Sequence, residues 1–290
     1  MAAQQREGSE SLQEAYFGHE HLTVIEPAKG WRALNFKELW AYRELFFVLV
    51  QRDIKVRYKQ TVLGVVWAVL QPLLTMAIFT VVFGGLAKIP SDGYPYAIFI
   101  FAALLPWTFF ANSVGISSLS LVNSANMVSK VYFPRVIVPL ASIGGGLIDL
   151  MISVLVLFAL MLWYGVGWSP NLLLAPVLLL AVVFIALGVG TLLSALTVAY
   201  RDFRFVVPFM VQIWMYATPV VYPASLVPEK WQWVLYLNPM AGVIDAFRSA
   251  FLGRPFDWSS IGISLCVGVV IFIWGVAYFE KVERRFADII

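Results

Sequence analysis

Between Lys59 and Lys88 the chain carries no charged residue. The same holds from Asp92 to Lys130, Asp149 to Arg201, Arg204 to Glu229 and Asp257 to Glu280. A helix needs about 20 apolar residues to cross the hydrocarbon core of a bilayer. The run from Asp149 to Arg201 is more than twice that, and it breaks at Gly165-Val-Gly-Trp-Ser-Pro170, where turn formers cluster. Val136 to Trp163 is long and apolar enough to cross despite Asp149 within it. The pattern predicts an all-α membrane protein with six transmembrane helices, at 61–87, 95–122, 136–163, 172–199, 206–222 and 258–279.

Two further segments carry a different pattern. Phe36, Leu39, Trp40, Phe47 and Val50 recur at helical spacing, with Lys37, Glu38 and Glu44 on the polar side. That predicts an N-terminal amphipathic interface helix lying at the inner membrane surface before the first span. A soluble helix packed on a partner protein has the same periodicity. Residues 1–30 read as a polar tail with no signal-peptide pattern, so the chain divides into 1–60, tail and interface helix, and 61–290, a six-span domain. Residues 222–257 are too apolar for a solvated loop and too interrupted to cross. They predict short outer re-entrant helices between spans five and six, which would satisfy their own backbone groups.

Composition agrees: 61% of residues are hydrophobic and 13% charged, with a mean hydropathy of +0.82. An ordinary soluble domain is nearer half apolar and a quarter charged. Disordered chains and disulfide-stapled domains are excluded too, since Cys266 has no second cysteine to pair with. A net charge of +3 gives no case for a nucleic-acid partner. Its distribution matters more. With the N-terminus inside, inner segments carry Arg52, Lys55, Arg57, Lys59, Lys130, Arg135, Arg201, Arg204, Lys281, Arg284 and Arg285, while outer ones carry Lys88, Lys230, Arg248 and Arg254. Eleven against four places both termini in the cytoplasm.

The chain has no visible chemistry of its own. No GxxxxGK[ST] phosphate loop is present, and Gly84-Gly85-Leu-Ala-Lys88 lacks both the spacing and the hydroxyl. His19 and His21 lie in the polar tail, no GxSxG elbow occurs, and no cluster has metal-ligand spacing. The expectation is a transport subunit, not an enzyme, with no catalytic residue, metal or cofactor. Only Asp149 lies deep within a span. Its readings are a proton or cation relay, an ion pair with Arg201 or Arg204, or a hydrogen-bonded interhelical contact near Gly144-Gly145-Gly146.

Several blocks resemble one family. Arg52-Asp-Ile-Lys-Val-Arg-Tyr-Lys-Gln-Thr-Val-Leu-Gly64, running into Trp67 and Gln71-Pro72-Leu73, is similar to the start of the first span in ABC-2-type polysaccharide export permeases. So are Leu104-Leu-Pro-Trp-Thr-Phe-Phe110, Asn123 to Arg135 with Pro139-Leu140, Tyr200-Arg-Asp-Phe-Arg204, Thr218-Pro219-Val220 and Leu237-Asn-Pro239. They follow in order from about residue 36 to the end. The resemblance implies a homodimer bound to two copies of a separate nucleotide-binding subunit, which uses ATP and magnesium. It implies a multi-pass protein of the bacterial inner membrane. The cargo would be a glycan on an undecaprenyl-pyrophosphate carrier: O-antigen by preference, or capsule or teichoic acid.

It also directs attention to particular residues. Asn123, Asn126, Lys130, Phe133 and Arg135 become ATPase-coupling candidates on a short protruding helix, with Arg201 and Arg204 as a second contact, gate or simple basic turn. Arg52, Lys55, Arg57 and Lys59 form the densest cationic cluster, suited to a pyrophosphate headgroup or to lipid anchoring. Among the aromatic residues, 16% of the chain, Trp107, Phe109 and Phe110 sit inside a span beside Pro106 and are candidates to line a sugar channel. Two alternatives stand beside this reading. One is an ABC-2 permease for drugs or small lipids. The other is a membrane-embedded glycosyltransferase, which would need carboxylates facing a cavity.

Overall fold

The computed structural model describes residues 36–58 and 64–283. The polar tail, Lys59, Arg284 and Arg285 lie outside the described residues. Within them every regular element is helical. In chain order these are α1 (Phe36–Ala41), α2 (Arg43–Tyr58), α3 (Gly64–Phe79, continuing as a π-helix over Thr80–Leu86), α4 (Tyr96–Asn123), α5 (Ala125–Lys130) and α6 (Ile137–Gly144). Then follow α7 (Leu147–Trp163), α8 (Ala175–Ala199, after a 3₁₀ turn at Pro170–Leu174), α9 (Phe203–Ala217), α10 (Glu229–Tyr236), α11 (Ala241–Leu252) and α12 (Trp258–Glu283).

The hub is α4. Its apolar side chains, Phe99, Phe101, Leu104 and Phe110 among them, are buried on nearly every side. A helix that is hydrophobic all round reaches this state only when other helices enclose it. Close approach depends on small residues, as it must where lipid supplies no hydrophobic drive between helices. Ser117 on α4 lies against Gly190 of α8, where a methyl group would come 2.8 Å from the serine oxygen. On α8 and α12, Gly188 and Gly275 meet so closely that a Cβ at Gly275 would stand 2.7 Å from the Gly188 carbonyl.

A second, smaller core gathers Leu49, Leu121, Val128, Phe133, Val198 and Phe279 at the end of the bundle that carries Lys130, Arg135, Arg201 and Arg204. At the opposite end, side chains pin the loops together. Tyr94 donates to the Leu252 carbonyl at 2.6 Å, Tyr96 to the Val221 carbonyl at 2.6 Å, and Arg254 pairs with Asp92 at 2.9 Å.

Among the described residues, five helical stretches are long and apolar enough to cross a membrane: Val66–Leu86, Tyr96–Asn123, Ile137–Trp163, Pro170–Ala199 and Trp258–Glu283. The crossing expected at 206–222 is different. α9 ends at Ala217 after 15 residues, which gives about 22 Å against a hydrocarbon thickness of about 30 Å. The stop has a local cause. Thr218 precedes Pro219, whose ring disfavours the helical region for its neighbour, and Thr218 is extended at φ −102 and ψ 143.

Three other expectations change shape. The amphipathic segment is not one helix over 36–50. It breaks at Tyr42, and its second part continues through the cationic cluster to Tyr58. α2 then lies along α6: a Cβ on Gly144 would come 2.9 Å from Val50, and one on Gly145 3.6 Å from the Asp53 Cβ. Span three is two helices, α6 and α7, joined at Gly145-Gly146. The outer segment does contain two short helices, α10 and α11, and every residue of α11 is buried.

Candidate transport groove and coupling surface

The break at Gly145-Gly146 places Asp149 in the first turn of α7, where a carboxylate is favoured by the exposed backbone N–H groups of a helix start. The end of α2 brings two donors to it. The Arg57 guanidinium and the Tyr58 hydroxyl each donate to one Asp149 oxygen. Burial and the adjacent carboxylate push the Tyr58 hydroxyl up to about 12, so it remains a donor. The ion pair expected with Arg201 or Arg204 is therefore replaced by a pair with Arg57. The alternative, a hydrogen-bonded contact between helices beside the glycines, describes what is seen.

Two cavities adjoin this cluster. One, of about 360 Å³, lies between α3, α4 and α7 and is lined by Trp67, Gln71, Thr108, Phe109, Asn112 and Asp149, among others. The other, of about 390 Å³, is lined by Arg52, Asp53, Ser120, Asn123, Ser124 and Gly145, among others. Arg57, Ile116 and Ser142 border both. Together they form a groove whose α4 wall is Thr108, Asn112, Ile116, Ser120 and Asn123, one helical face at near four-residue spacing.

The cationic cluster is divided by this geometry. Arg57 is committed to Asp149, Arg52 is half-exposed and paired with Asp53 at 2.9 Å, and Lys55 is exposed. The coupling candidates divide as well. Asn123, Asn126 and Lys130 are exposed on the end of α4 and on α5, as are Arg201 and Arg204. Phe133 is buried in the smaller core. Arg135 faces inward: its backbone N–H donates to the Glu283 carboxylate at 3.0 Å and its guanidinium to the Glu283 carbonyl at 2.6 Å.

Trp107, Phe109 and Phe110 are all buried within the chain. Trp107 packs on Phe110 at 5.5 Å, and Phe110 meets Trp214 edge-on at 5.2 Å. Phe109 alone of the three borders a cavity.

Arg248 is the residue that sequence reasoning missed, having counted it as one outer charge. It is fully buried. Its guanidinium donates to the carbonyls of Phe99, Pro219, Val220 and Tyr222 and lies 3.8 Å from the Phe99 ring centroid. It therefore satisfies carbonyls of the turn that follows α9 and ties that turn to α4. Nearby, Asn238 bridges the same break, accepting from Trp214 at 3.0 Å and donating to Thr218 at 2.7 Å. The available signal was an arginine three residues after Asp245 inside Ala241–Leu252, a mostly apolar helix.

Apolar helices long enough to cross a membrane, five of them among the described residues, define the class as a multi-pass membrane protein. Residues 44–252 match the ABC-2 type transporter family, and the chain belongs to it. It is 29% identical over 248 residues to the O-antigen export system permease protein RfbA of Klebsiella pneumoniae, covering 85% of this chain and 95% of that protein. RfbA of Myxococcus xanthus is 29% identical over 255 residues, 87% of this chain and 97% of the relative. The polysialic acid transport protein KpsM of Escherichia coli is 22% identical over 242 residues, 81% and 92% respectively.

Proposed function

We propose that this chain is the membrane subunit of an ABC transporter that exports a lipid-linked polysaccharide, O-antigen by preference, across the cytoplasmic membrane. The observation that carries this is similarity to O-antigen export permeases over nearly their whole length. A groove that sets amides and hydroxyls among apolar side chains is consistent with such a cargo. The subunit works as a homodimer with two copies of a separate ATPase, which holds the ATP and magnesium. Both termini face the cytoplasm. α9 with the turn at 218–222 makes the sixth crossing, α10 and α11 dip into the outer leaflet, and α1 with the start of α2 lies at the inner interface.

The work of ATP closure reaches the spans through the exposed tip formed by Asn123, Asn126 and Lys130. Phe133 and Arg135 tie that tip to the smaller core and to the end of α12. Arg201 and Arg204 add a second exposed contact. Arg52, Lys55 and Lys59 attract the pyrophosphate of the carrier at the inner surface, with Arg57 held by Asp149. Of the aromatic channel candidates, Phe109 meets the cargo, a role supported by its position on the cavity wall.

Deletion of the gene, with surface glycan and intracellular lipid-linked glycan measured together, tests the reading. Loss of the first with accumulation of the second is the expected result. Loss without accumulation would indicate a defect in synthesis, and unchanged surface glycan would favour a small-molecule permease.

A further inference from the structure

The amides of Gln71 and Asn112 stand inside spans one and two and border the cavity between α3, α4 and α7. Both residues are exposed, and neither side chain has a hydrogen-bond partner among the described residues. A polar side chain within a span is costly against lipid and is retained where it faces a partner or a hydrophilic space. The cavity is such a space. Thr108 and Ser153 add hydroxyls to its wall, and the buried Ser113 hydroxyl beside them is also without a partner.

Charge narrows the ligand. The one carboxylate on the wall, Asp149, is neutralised by Arg57 and hydrogen-bonded by Tyr58. No net charge is left to select an ion. The remaining polar groups are amides and hydroxyls, which donate and accept equally well, set in a wall that is otherwise apolar and includes the half-exposed indole of Trp67. That set matches a sugar ring, which offers hydroxyls at its edge and an apolar C–H face to an aromatic plane.

The geometry points to a saccharide subsite here: Gln71 and Asn112 hydrogen-bond the hydroxyls of one sugar of the passing glycan, whose ring lies against Trp67. This rests on the polysaccharide reading above. It adds a place, a neutral sugar as the recognised unit, and two amides as the residues that hold it.

The test uses the intact transporter in its native cells, with Cys266→Ser as background. Gln71→Leu combined with Asn112→Leu should lower surface glycan about tenfold, the loss expected for two ligand hydrogen bonds. Subunit abundance and ATPase copurification should stay at their normal level. Asn112→Cys should react with a small hydrophilic methanethiosulfonate. That reaction should slow when glycan is stalled in the transporter by a hydrolysis-dead ATPase, relative to cells that make no glycan.

Normal export by the double leucine variant would overturn the subsite, as would labelling that is indifferent to stalled glycan. Spontaneous disulfide formation between two copies of Gln71→Cys would overturn it as well, by assigning the amides to a dimer contact. Failure of the underlying reading looks different: deletion of the whole gene would then leave surface glycan unchanged.

Discussion

Arg57 and Asp149 are 92 positions apart and form an ion pair between the last turn of α2 and the first turn of α7. Each side chain is about one-third exposed, at 30% and 31%. The pair fastens the end of the N-terminal helix to span three at the rim of the groove. Removing one partner leaves the other charge in a half-buried setting.

Asp149→Asn and Arg57→Ala should therefore each lower stability by about 1–3 kcal/mol, after allowance for solvent access. The exchange Arg57→Asp with Asp149→Arg should recover part of that loss. Unfolding midpoints of the detergent-solubilised protein test this. Additive losses in the exchange variant would mean that the pair does not couple the helices.

Arg248 holds four carbonyls with one planar fork, which an ammonium cannot reproduce. Arg248→Lys should cost about 2 kcal/mol or more and Arg248→Met at least as much. The segment after Ala217 should become sensitive to protease added from the outer side in both variants. Resistance equal to that of the unmodified protein would show that α11 does not secure the break.

Trp107→Ala and Phe110→Ala remove large side chains from a closed core, so each should cost about 3–5 kcal/mol through lost burial and a residual cavity. The expected result is less monodisperse protein on size-exclusion chromatography. Phe109→Ala opens onto an existing cavity and should cost less. Full monodisperse yield of the Trp107→Ala, Phe110→Ala double variant, together with reduced export, would restore those two residues as channel wall.

Lys130 is exposed and Arg135 is bound to Glu283. Lys130→Glu should leave the fold intact and reduce export per ATP hydrolysed. Arg135→Glu should do the same and also lower thermal stability. Export and hydrolysis measured in the same vesicles distinguish the two, and normal coupling in both variants would move the transmission element elsewhere.

Much of this architecture is legible because a lipid-facing or enclosed helix tolerates few charges, so stretches between charges mark the spans directly. The glycine run at 144–146 likewise announces a close approach, and α2 makes it. Pairings across the chain are not legible in the same way. Nothing local to Asp149 names Arg57 rather than Arg201, because the choice depends on α2 continuing past Val50 and turning its last residues toward α7. Arg248 was hidden for the same reason: its acceptors are carbonyls, which have no signature in side-chain pattern. Phe133 and Arg135 sit in a segment expected to protrude as a short contact helix, whereas tertiary contacts fold its second half inward. Within the groove, the polar face of α4 could be read from spacing, but the cavity beside it is made by three separate helices.

Span one is set apart from the other four by its surroundings. None of its most apolar window is buried in the chain, against 83% for span two and 28–39% for the rest. Its hydropathy makes it a committed membrane segment, yet its neighbours in this chain hold it lightly. The wall that carries Trp67 and Gln71 is thus the one whose displacement sacrifices least internal packing. On the export reading proposed above, a passage walled by this span is compliant in width and accommodates residues of unequal bulk following one another along a single thread.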